Sequence, residues 1–166
     1  MMRDDFRRGI ARLASFNLTY DVLIYPRQLP AAIRMVEEFA DQRFVLDHIA
    51  KPLIGEGKMD PWATGIRTLA ENPNLYCKLS GMVTETRWRQ WQAADFRPYL
   101  DVVFEAFGPD RLMIGSDWPV CTLSASYESA VGLVFEYIRQ LPASQQAAIL
   151  GGNCARFYNL PIVTLR

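Results

Sequence analysis

Short apolar runs alternate with longer amphipathic segments along this chain of 166 residues, and this alternation limits the fold more than any other feature. The four apolar runs lie in residues 18–25, 43–48, 75–79 and 112–114. Consecutive apolar residues such as Val22, Leu23 and Ile24 are typical of strands in the middle layer of an α/β protein. The pattern therefore predicts an α/β fold with a parallel sheet of four strands, each buried on both faces.

The segments between the runs carry apolar residues at helical spacing. In residues 30–39, Ile33, Val36 and Phe39 fall on one side of a helix, which would face the sheet. Further helices are predicted in residues 6–16, 60–72, 96–107, 127–141 and 142–150, followed by a last turn in residues 154–158.

An open, doubly wound sheet and part of a (β/α)8 barrel both fit this alternation. No Gly-x-Gly-x-x-Gly or P-loop motif occurs at a strand-to-helix turn, which argues against a nucleotide-binding open sheet. A complete barrel takes about 250 residues, and four strands are half of the eight that it needs. We expect residues 1–166 to form a single domain with part of such a barrel.

Charge and composition exclude several classes of protein. The 18 Lys and Arg residues equal the 18 Asp and Glu residues, so nothing indicates binding to nucleic acid or to an anionic membrane. The apolar runs are far shorter than a membrane-spanning helix, and the charged first residues lack the apolar core of a signal peptide. We therefore predict a cytoplasmic protein. Its widely spaced Cys77, Cys121 and Cys154 indicate neither a disulfide framework nor a structural zinc site.

The fourth apolar run leads directly into an acidic residue. Residues 111–120 read RLMIGSDWPV, in which the apolar residues end at Ile114 and Asp117 follows. Because the carboxyl ends of parallel strands form the functional face of α/β proteins, Asp117 is the first candidate for chemistry. The alternative is that Asp117 only caps the loop that follows the strand.

His48, the only histidine of the chain, follows the second apolar run. A histidine in this place is often a hydrogen-bonded structural residue, but His and Asp are also a common pair for metal binding and general-base catalysis. Parallel neighbouring strands would bring the polar residues at all four strand ends to one rim. Besides His48 and Asp117, these residues are Tyr25, Arg27, Asp47, Lys51, Lys78, Ser80, Ser116 and Trp118.

Six sequence blocks carry a resemblance to a known family. They are FRRGI at 6–10, YDVLIYP at 20–26, VLDHIAKP at 45–52, CKLSG at 77–81, RLMIGSDWPV at 111–120 and GNCARFY at 152–158. Together they resemble the amidohydrolase-related (amidohydrolase 2) family, and within it the sugar-lactone hydrolases, the fuconolactonase-like and dicarboxylate-lactonase-like proteins. The resemblance covers nearly the whole chain and implies the C-terminal portion of a (β/α)8 TIM barrel of the metal-dependent hydrolase type.

The resemblance also implies a function, the hydrolysis of a cyclic ester such as a sugar lactone or a related carboxylate lactone. Asp117 would be the general base that takes a proton from the attacking water. His48 would bind a metal or polarise the lactone carbonyl. Four more residues would bind the small-molecule substrate, although surface charges and a core aromatic ring are the alternatives for three of them. These four are Tyr25, Arg27, Lys51 and Trp118.

In one respect the chain departs from the family. The family begins with a strand that bears a His-x-His pair, which this sequence does not contain. We therefore expect a truncated barrel without the first strands. His48 and Asp117, the remaining metal-ligand candidates, are fewer than the three protein ligands usual for catalytic zinc. Dependence on zinc or manganese is one alternative, and catalysis without a metal is the other.

A partial barrel has consequences for assembly as well. The strands near Val22 and near Met113 would lie at open edges with unpaired backbone groups, so we expect self-association through these edges. Two other functions stay open besides the lactone hydrolase. One is a catalytically inactive remnant that serves as an assembly module, and the other is a metal-dependent amidase or decarboxylase of the same superfamily.

Overall fold

The computed structural model describes residues 1–161, in which strands and helices alternate. The strands are β1 (Tyr20–Val22), β2 (Phe44–Leu46), β3 (Leu75–Leu79) and β4 (Leu112–Ile114). The helices are α1 (Asp4–Leu13), α2 (Leu29–Glu38), α3 (Trp62–Ala70), α4 (Arg97–Phe107), α5 (Tyr127–Ile138), α6 (Ala143–Ala147) and α7 (Asn153–Tyr158). One turn of π-helix, Ala148–Gly152, joins α6 to α7. Within residues 1–161, no helix is both long and apolar enough to cross a membrane.

The four strands form one parallel sheet in the order β1-β2-β3-β4. Val45 of β2 is aligned with Asp21 on one side and with Tyr76 on the other, and Lys78 of β3 is aligned with Met113. Because all strands run in the same direction, their carboxyl ends lie along one edge, which we call the carboxyl end of the sheet. The opposite edge is the amino end. The predicted α/β fold with a parallel sheet is confirmed.

One face of the sheet packs against the helices. α3 contacts both α2 and α4 in this outer layer. Ile66 and Leu69 of α3 and Val103 of α4 are fully buried. Burial of a side chain of this size stabilises a fold by about 1.5–3 kcal/mol, so this interface supplies most of the apolar core. The sheet residues that it buries are Val22, Phe44, Leu46, Leu75, Cys77, Leu79 and Leu112.

The other face, which we call the inner face, is covered in part by α7. Val45, Met113 and Phe157 form a small apolar cluster there, against which Tyr76 and Tyr158 pack. The ring centres of Phe157 and Tyr76 are 4.9 Å apart. The last helix therefore fills the space beside the inner face where the strands begin.

A charged group lies next to this cluster. Lys78 forms ion pairs with Asp21 and Asp47, with 2.8 Å between Nζ and the Asp47 Oδ1 atom. The Tyr158 hydroxyl donates a hydrogen bond of 3.0 Å to Asp21. Burial lowers the pKa of Lys78, but hydrogen bonds to the two carboxylates outweigh it and raise that pKa above its usual value. The ammonium group of Lys78 is therefore held by Asp21 and Asp47 and is not free to bind a ligand.

Two-sided burial, which we predicted for every strand, is wrong for β1 and β3. Leu23, just after β1, is 58% exposed, because it points away from the helices that bury Val22 and Ile24. In β3, buried residues alternate with the half-buried Tyr76 and Lys78. The helices cover one face continuously, whereas α7 covers only part of the inner face.

Candidate active site

The carboxyl end of the sheet brings His48 and Asp117 together. His48 follows β2 and Asp117 follows β4, so the two residues come from strands that are not neighbours. The His48 Nε2 atom lies 3.4 Å from the Asp117 Oδ1 atom. The side chains are 18% and 11% exposed, which shields the pair from bulk solvent while leaving it accessible to a ligand.

The end of β3 packs against the other side of the imidazole. Ser80 places its Oγ atom 2.7 Å from His48 Nδ1. Gly81 has a φ of +64°, and a Cβ atom at this position would lie only 2.6 Å from His48 Cγ. A side chain at position 81 would therefore be strained and would displace the imidazole. Glycine at this position lets β3 approach the ring of His48.

A strained turn presents His48. His48, Ile49, Ala50 and Lys51 all have φ between 46° and 60°, a region that side chains rarely adopt and that β-branched residues avoid. The Trp62 indole N–H donates a 2.7 Å hydrogen bond to the carbonyl of Ile49. The Lys51 N–H donates a 2.8 Å hydrogen bond to the carbonyl of His48. Such conformations cost of order 1–3 kcal/mol each and occur mainly at functional sites.

The surroundings of His48 favour its neutral form. Burial lowers the pKa of the imidazole, and the nearby carboxylates of Asp117 and Asp47 offset this only in part. The positive charges of Lys51 and Lys78 act in the same direction as burial. His48 is therefore neutral at neutral pH, with one ring nitrogen that donates a hydrogen bond and one that accepts.

Three of the four predicted substrate-binding residues are neighbours. Lys51, at the end of the strained turn, forms an ion pair with Glu85 that is mostly shielded from solvent. The Lys51 Nζ and Arg27 Cζ atoms each lie 5.7 Å from the centre of the Tyr25 ring, a distance typical of cation–π contacts. Two positive charges and one aromatic ring are thus brought together at this end of the sheet.

Trp118 is largely exposed, at 66%. Its backbone N–H donates a 3.1 Å hydrogen bond to Ser116 Oγ. The alternative of a core aromatic ring is therefore wrong, and the indole presents its surface to solvent.

Two residues that shape the site were not predicted from sequence as part of it. Glu85 is 34 residues from its partner Lys51, and Trp62 is 13 residues from Ile49. No local pattern signals such pairings, because both depend on which loops and helices the fold brings together. Ser80 had a signal, its position directly after an apolar strand, although we had assigned it no role.

A sizeable apolar cavity lies elsewhere. It has a volume of about 660 Å³ and lies between α4 and α5, lined by Trp91, Phe96, Leu100, Leu133, Phe135 and Tyr137 among others. Its lining is mainly apolar and contains no pair like His48 and Asp117. The polar groups, the strained backbone and the shielded acid–base pair all place the candidate active site at the carboxyl end of the sheet.

The donor set does not fit a complete metal site. Across residues 1–161, no group of three or more His, Cys, Asp and Glu side chains is arranged to hold a metal ion. His48 and Asp117 supply two ligands, whereas a catalytic zinc ion usually takes three from the protein. These two residues could therefore form only part of the ligand set of a zinc or manganese ion.

Comparison with known proteins decides the family. The model of the amidohydrolase family matches residues 2–160, nearly the whole chain. The chain belongs to the amidohydrolase family. The resemblance carried by the six sequence blocks is confirmed.

Two curated relatives are L-fucono-1,5-lactonases. The one from Burkholderia multivorans is 43% identical over 167 residues, which cover 95% of this chain and 56% of the relative. The one from Burkholderia ambifaria is 34% identical over 157 residues, which cover 92% of this chain and 53% of the relative. The chain thus spans about half the length of the curated relatives that it matches.

A solved structure of an amidohydrolase from Burkholderia multivorans with bound zinc is also similar. It is 43% identical, has a TM-score of 0.89, and is matched over 96% of this chain and 58% of its own. The four strands and their helices correspond to the C-terminal part of an amidohydrolase TIM barrel. The predicted fold class, a partial barrel of the hydrolase type, is confirmed.

Proposed function

We propose that this chain carries the water-activating residues of a lactone hydrolase that acts on a sugar lactone or a related cyclic ester. The observation that carries the proposal is the shielded pair of His48 and Asp117 at the carboxyl end of the sheet. The 43% identity to an L-fucono-1,5-lactonase supports a sugar lactone as the substrate class.

In this proposal Asp117 is the general base. Its carboxylate takes a proton from a water molecule, and the water oxygen attacks the carbonyl carbon of the lactone. The bond between that carbon and the ring oxygen then breaks, and the proton passes to the ring oxygen. One lactone and one water give one hydroxy acid, and a positioned base of this kind contributes about 10²–10⁴-fold to the rate.

His48 stabilises the negative charge that develops on the carbonyl oxygen. The 3.4 Å separation between Nε2 and Asp117 is long for a hydrogen bond, so a hydrogen on Nε2 is also available to a second acceptor. A donor aimed at the developing oxyanion is worth about 10²–10³-fold in rate. Lys51, whose charge acts on His48, adds positive potential at the same place.

The remaining predicted residues bind the substrate. Tyr25 and Trp118 offer exposed aromatic surface on which a sugar ring can pack. Arg27 and Lys51 flank Tyr25 and supply the cations that a product carboxylate needs. This group of four would decide which lactone is accepted.

The test is proton release from L-fucono-1,5-lactone and a panel of other sugar lactones, with chelator and with added zinc or manganese. Asp117→Asn should lower kcat by about 10²–10⁴-fold, because an amide cannot accept the proton. Asp110→Asn is the matched control, since Asp110 precedes the same strand at its amino end and should leave kcat unchanged.

Full activity of Asp117→Asn would overturn the assignment of the base. Activity only on amides or on carboxylated substrates would favour the amidase or decarboxylase alternative. No activity of the unaltered chain under any condition would favour an assembly module over an enzyme.

We also propose that copies of this chain associate through the edges of the sheet. In residues 1–161, β1 and β4 each pair with a strand on one side only. Leu23 is exposed beside β1, and Trp118 and Val120 are exposed beyond β4. Unpaired strand edges flanked by apolar side chains are a common route to association.

Sedimentation velocity tests this association. The unaltered chain should sediment as a dimer or larger species, and Leu23→Lys should shift it towards the monomer because a lysine opposes pairing at an edge. Phe135→Lys is the control, since Phe135 is exposed but lies on α5 and not on or next to an edge strand. A monomer at all concentrations would refute the proposal.

A further inference from the structure

Ser80 lies between two strand ends of the site and is almost fully buried, at 4% exposed. It follows β3, the strand between those that lead to His48 and Asp117. Its Oγ atom, 2.7 Å from His48 Nδ1, is at the distance of a strong hydrogen bond to a neutral partner. The three side chains are thus in contact in the order Ser80, His48, Asp117.

Charge decides which nitrogen of the imidazole carries the hydrogen. An ionised carboxylate only accepts hydrogen bonds, so the ring nitrogen that faces Asp117, Nε2, must carry the hydrogen. In a neutral imidazole Nδ1 then has a lone pair and accepts. The hydroxyl of Ser80 can donate to it, because a hydroxyl rotates to suit its partner. The alternative tautomer would place a lone pair against the carboxylate.

Two glycines leave the space in which Ser80 and His48 meet. A Cβ atom at Gly115 would lie 3.0 Å from Ser80 Cβ and 3.2 Å from Ser80 Oγ, so a side chain at this position would crowd Ser80. On the other side, Gly81 brings the backbone against the His48 ring. Glycine at both positions therefore permits the close approach of the Ser80 hydroxyl to His48.

We propose that Ser80 is a positioning residue that holds His48 in the Nε2–H tautomer, with that hydrogen directed towards Asp117. Ser80 does not touch the substrate and acts through His48. Its effect on turnover rests on the proposed lactone hydrolase, but the tautomer itself is a property of this chain and can be measured without a substrate.

His48 is the only histidine, so its ring nitrogens can be observed by ¹⁵N NMR in the untagged full chain without overlap. The protein is treated with chelator first, because a metal on a ring nitrogen would replace its hydrogen. The unaltered chain should show the pattern of the Nε2–H tautomer at neutral pH. Ser80→Ala removes the donor and should give a mixture of the two tautomers, whereas Ser80→Thr keeps a hydroxyl and should restore the single form.

Thr86→Val is the matched control. Thr86 follows in the next loop and uses its hydroxyl for a 2.8 Å hydrogen bond to the carbonyl of Val83, so its removal should leave the His48 spectrum unchanged. If Ser80→Ala does not fold, Ser80→Cys provides a second test, since a thiol is a weak donor of similar size and should give an intermediate mixture. An Nδ1–H pattern in the unaltered chain, or an unchanged pattern in folded Ser80→Ala, would overturn the proposal.

Turnover supplies a separate readout. Loss of the outer hydrogen-bond partner of a metal-ligating histidine typically costs 10–100-fold in activity, and we expect a loss of the same size here, so Ser80→Ala should lower kcat by that factor with little change in KM. Ser80→Thr should recover most of it. A chain without lactonase activity would refute the proposed function but not the tautomer assignment, while a normal kcat in a Ser80→Ala variant with mixed tautomers would remove the positioning role alone.

Discussion

The two ends of the sheet use polar side chains in opposite ways. At the carboxyl end, side chains bind one another: Ser80, His48 and Asp117 form one group, on a backbone that is strained from His48 to Lys51. At the amino end, side chains bind the backbone. The first arrangement leaves the side chains of His48 and Asp117 partly exposed, so that a ligand can reach them. The second supplies hydrogen-bond donors to backbone carbonyls that would otherwise have no partner.

Arg111 and Asn153 make such hydrogen bonds to the backbone at the amino end. The Arg111 guanidinium donates to the carbonyls of Ala70, Asn72 and Leu75, at 2.9, 3.0 and 3.3 Å. The fully buried Asn153 donates to the carbonyl of Leu112 at 2.6 Å and to that of Pro109 at 2.8 Å. Residues at this end of a barrel serve stability, whereas those at the carboxyl end serve chemistry. The comparison therefore predicts that stability and activity can be changed separately.

The largest effect is expected for Arg111→Met. Methionine fills part of the volume but leaves these three carbonyls, and the more distant carbonyls of Ala106 and Phe107, without their charged donor. Hydrogen bonds of this kind contribute about 1.5–3 kcal/mol each, and we count only the first three. The free energy of unfolding in urea should fall by at least about 4.5 kcal/mol, while kcat of the folded protein stays the same. Arg139→Met is the control, because Arg139 is exposed and pairs only with Glu136 on the same helix, so it should change stability by less than about 0.5 kcal/mol. A large loss of kcat in folded Arg111→Met would contradict the separation of the two ends.

The sequence predicts the two ends unequally well. Apolar runs and their order specify the parallel sheet, and the polar residues directly after them include His48 and Asp117, which the structure places 3.4 Å apart. The left-handed turn from His48 to Lys51 has no local signal, because none of its residues is glycine. Its contacts are with distant residues, among them the hydrogen bond from Trp62 to the carbonyl of Ile49.

Long-range partners account for the rest of what the sequence does not predict. Arg111 reaches loops 36–41 residues away, and Lys78 forms ion pairs with Asp47 and with Asp21, which is 57 residues away. Leu23 was predicted to be buried from its apolar neighbours, but whether the inner face is covered depends on elements distant in sequence. The local sequence predicts where a strand ends, but it does not predict which distant residues contact the side chains at that end.

Alanine substitutions at Gly81 and Gly57 form a matched pair that tests whether activity depends on the position of His48. Both have a φ of +64°, so alanine at either should cost about 1–2 kcal/mol of stability. Only at Gly81 does the new Cβ meet another residue, His48, since nothing lies within 4 Å at Gly57. Gly81→Ala should therefore also lower kcat/KM by about 100-fold, the typical cost of displacing a reacting group by about 1 Å. Equal kcat/KM for the two variants would show that the position of His48 does not matter, and the ¹⁵N signals of His48 provide the same contrast without substrate.

The smallest effect is expected for Trp62. Its hydrogen bond to the carbonyl of Ile49 is a contact between a side chain and the backbone, the kind that is found at the amino end, but it lies at the carboxyl end. Trp62→Phe keeps an aromatic ring beside Tyr99 but removes the indole N–H, leaving the buried carbonyl of Ile49 without its donor. The free energy of unfolding should fall by about 1.5 kcal/mol. Trp88→Phe is the control, because it removes a similar hydrogen bond, to the carbonyl of Thr84. The Trp88 ring is 52% exposed, so water can replace the lost donor, and the free energy of unfolding should fall by less than about 0.5 kcal/mol. If circular dichroism in urea gives equal losses for both variants, the strained turn does not depend on Trp62. If only Trp62→Phe is destabilised and its kcat also falls, this one hydrogen bond serves both stability and chemistry, and the division between the two ends of the sheet is not complete.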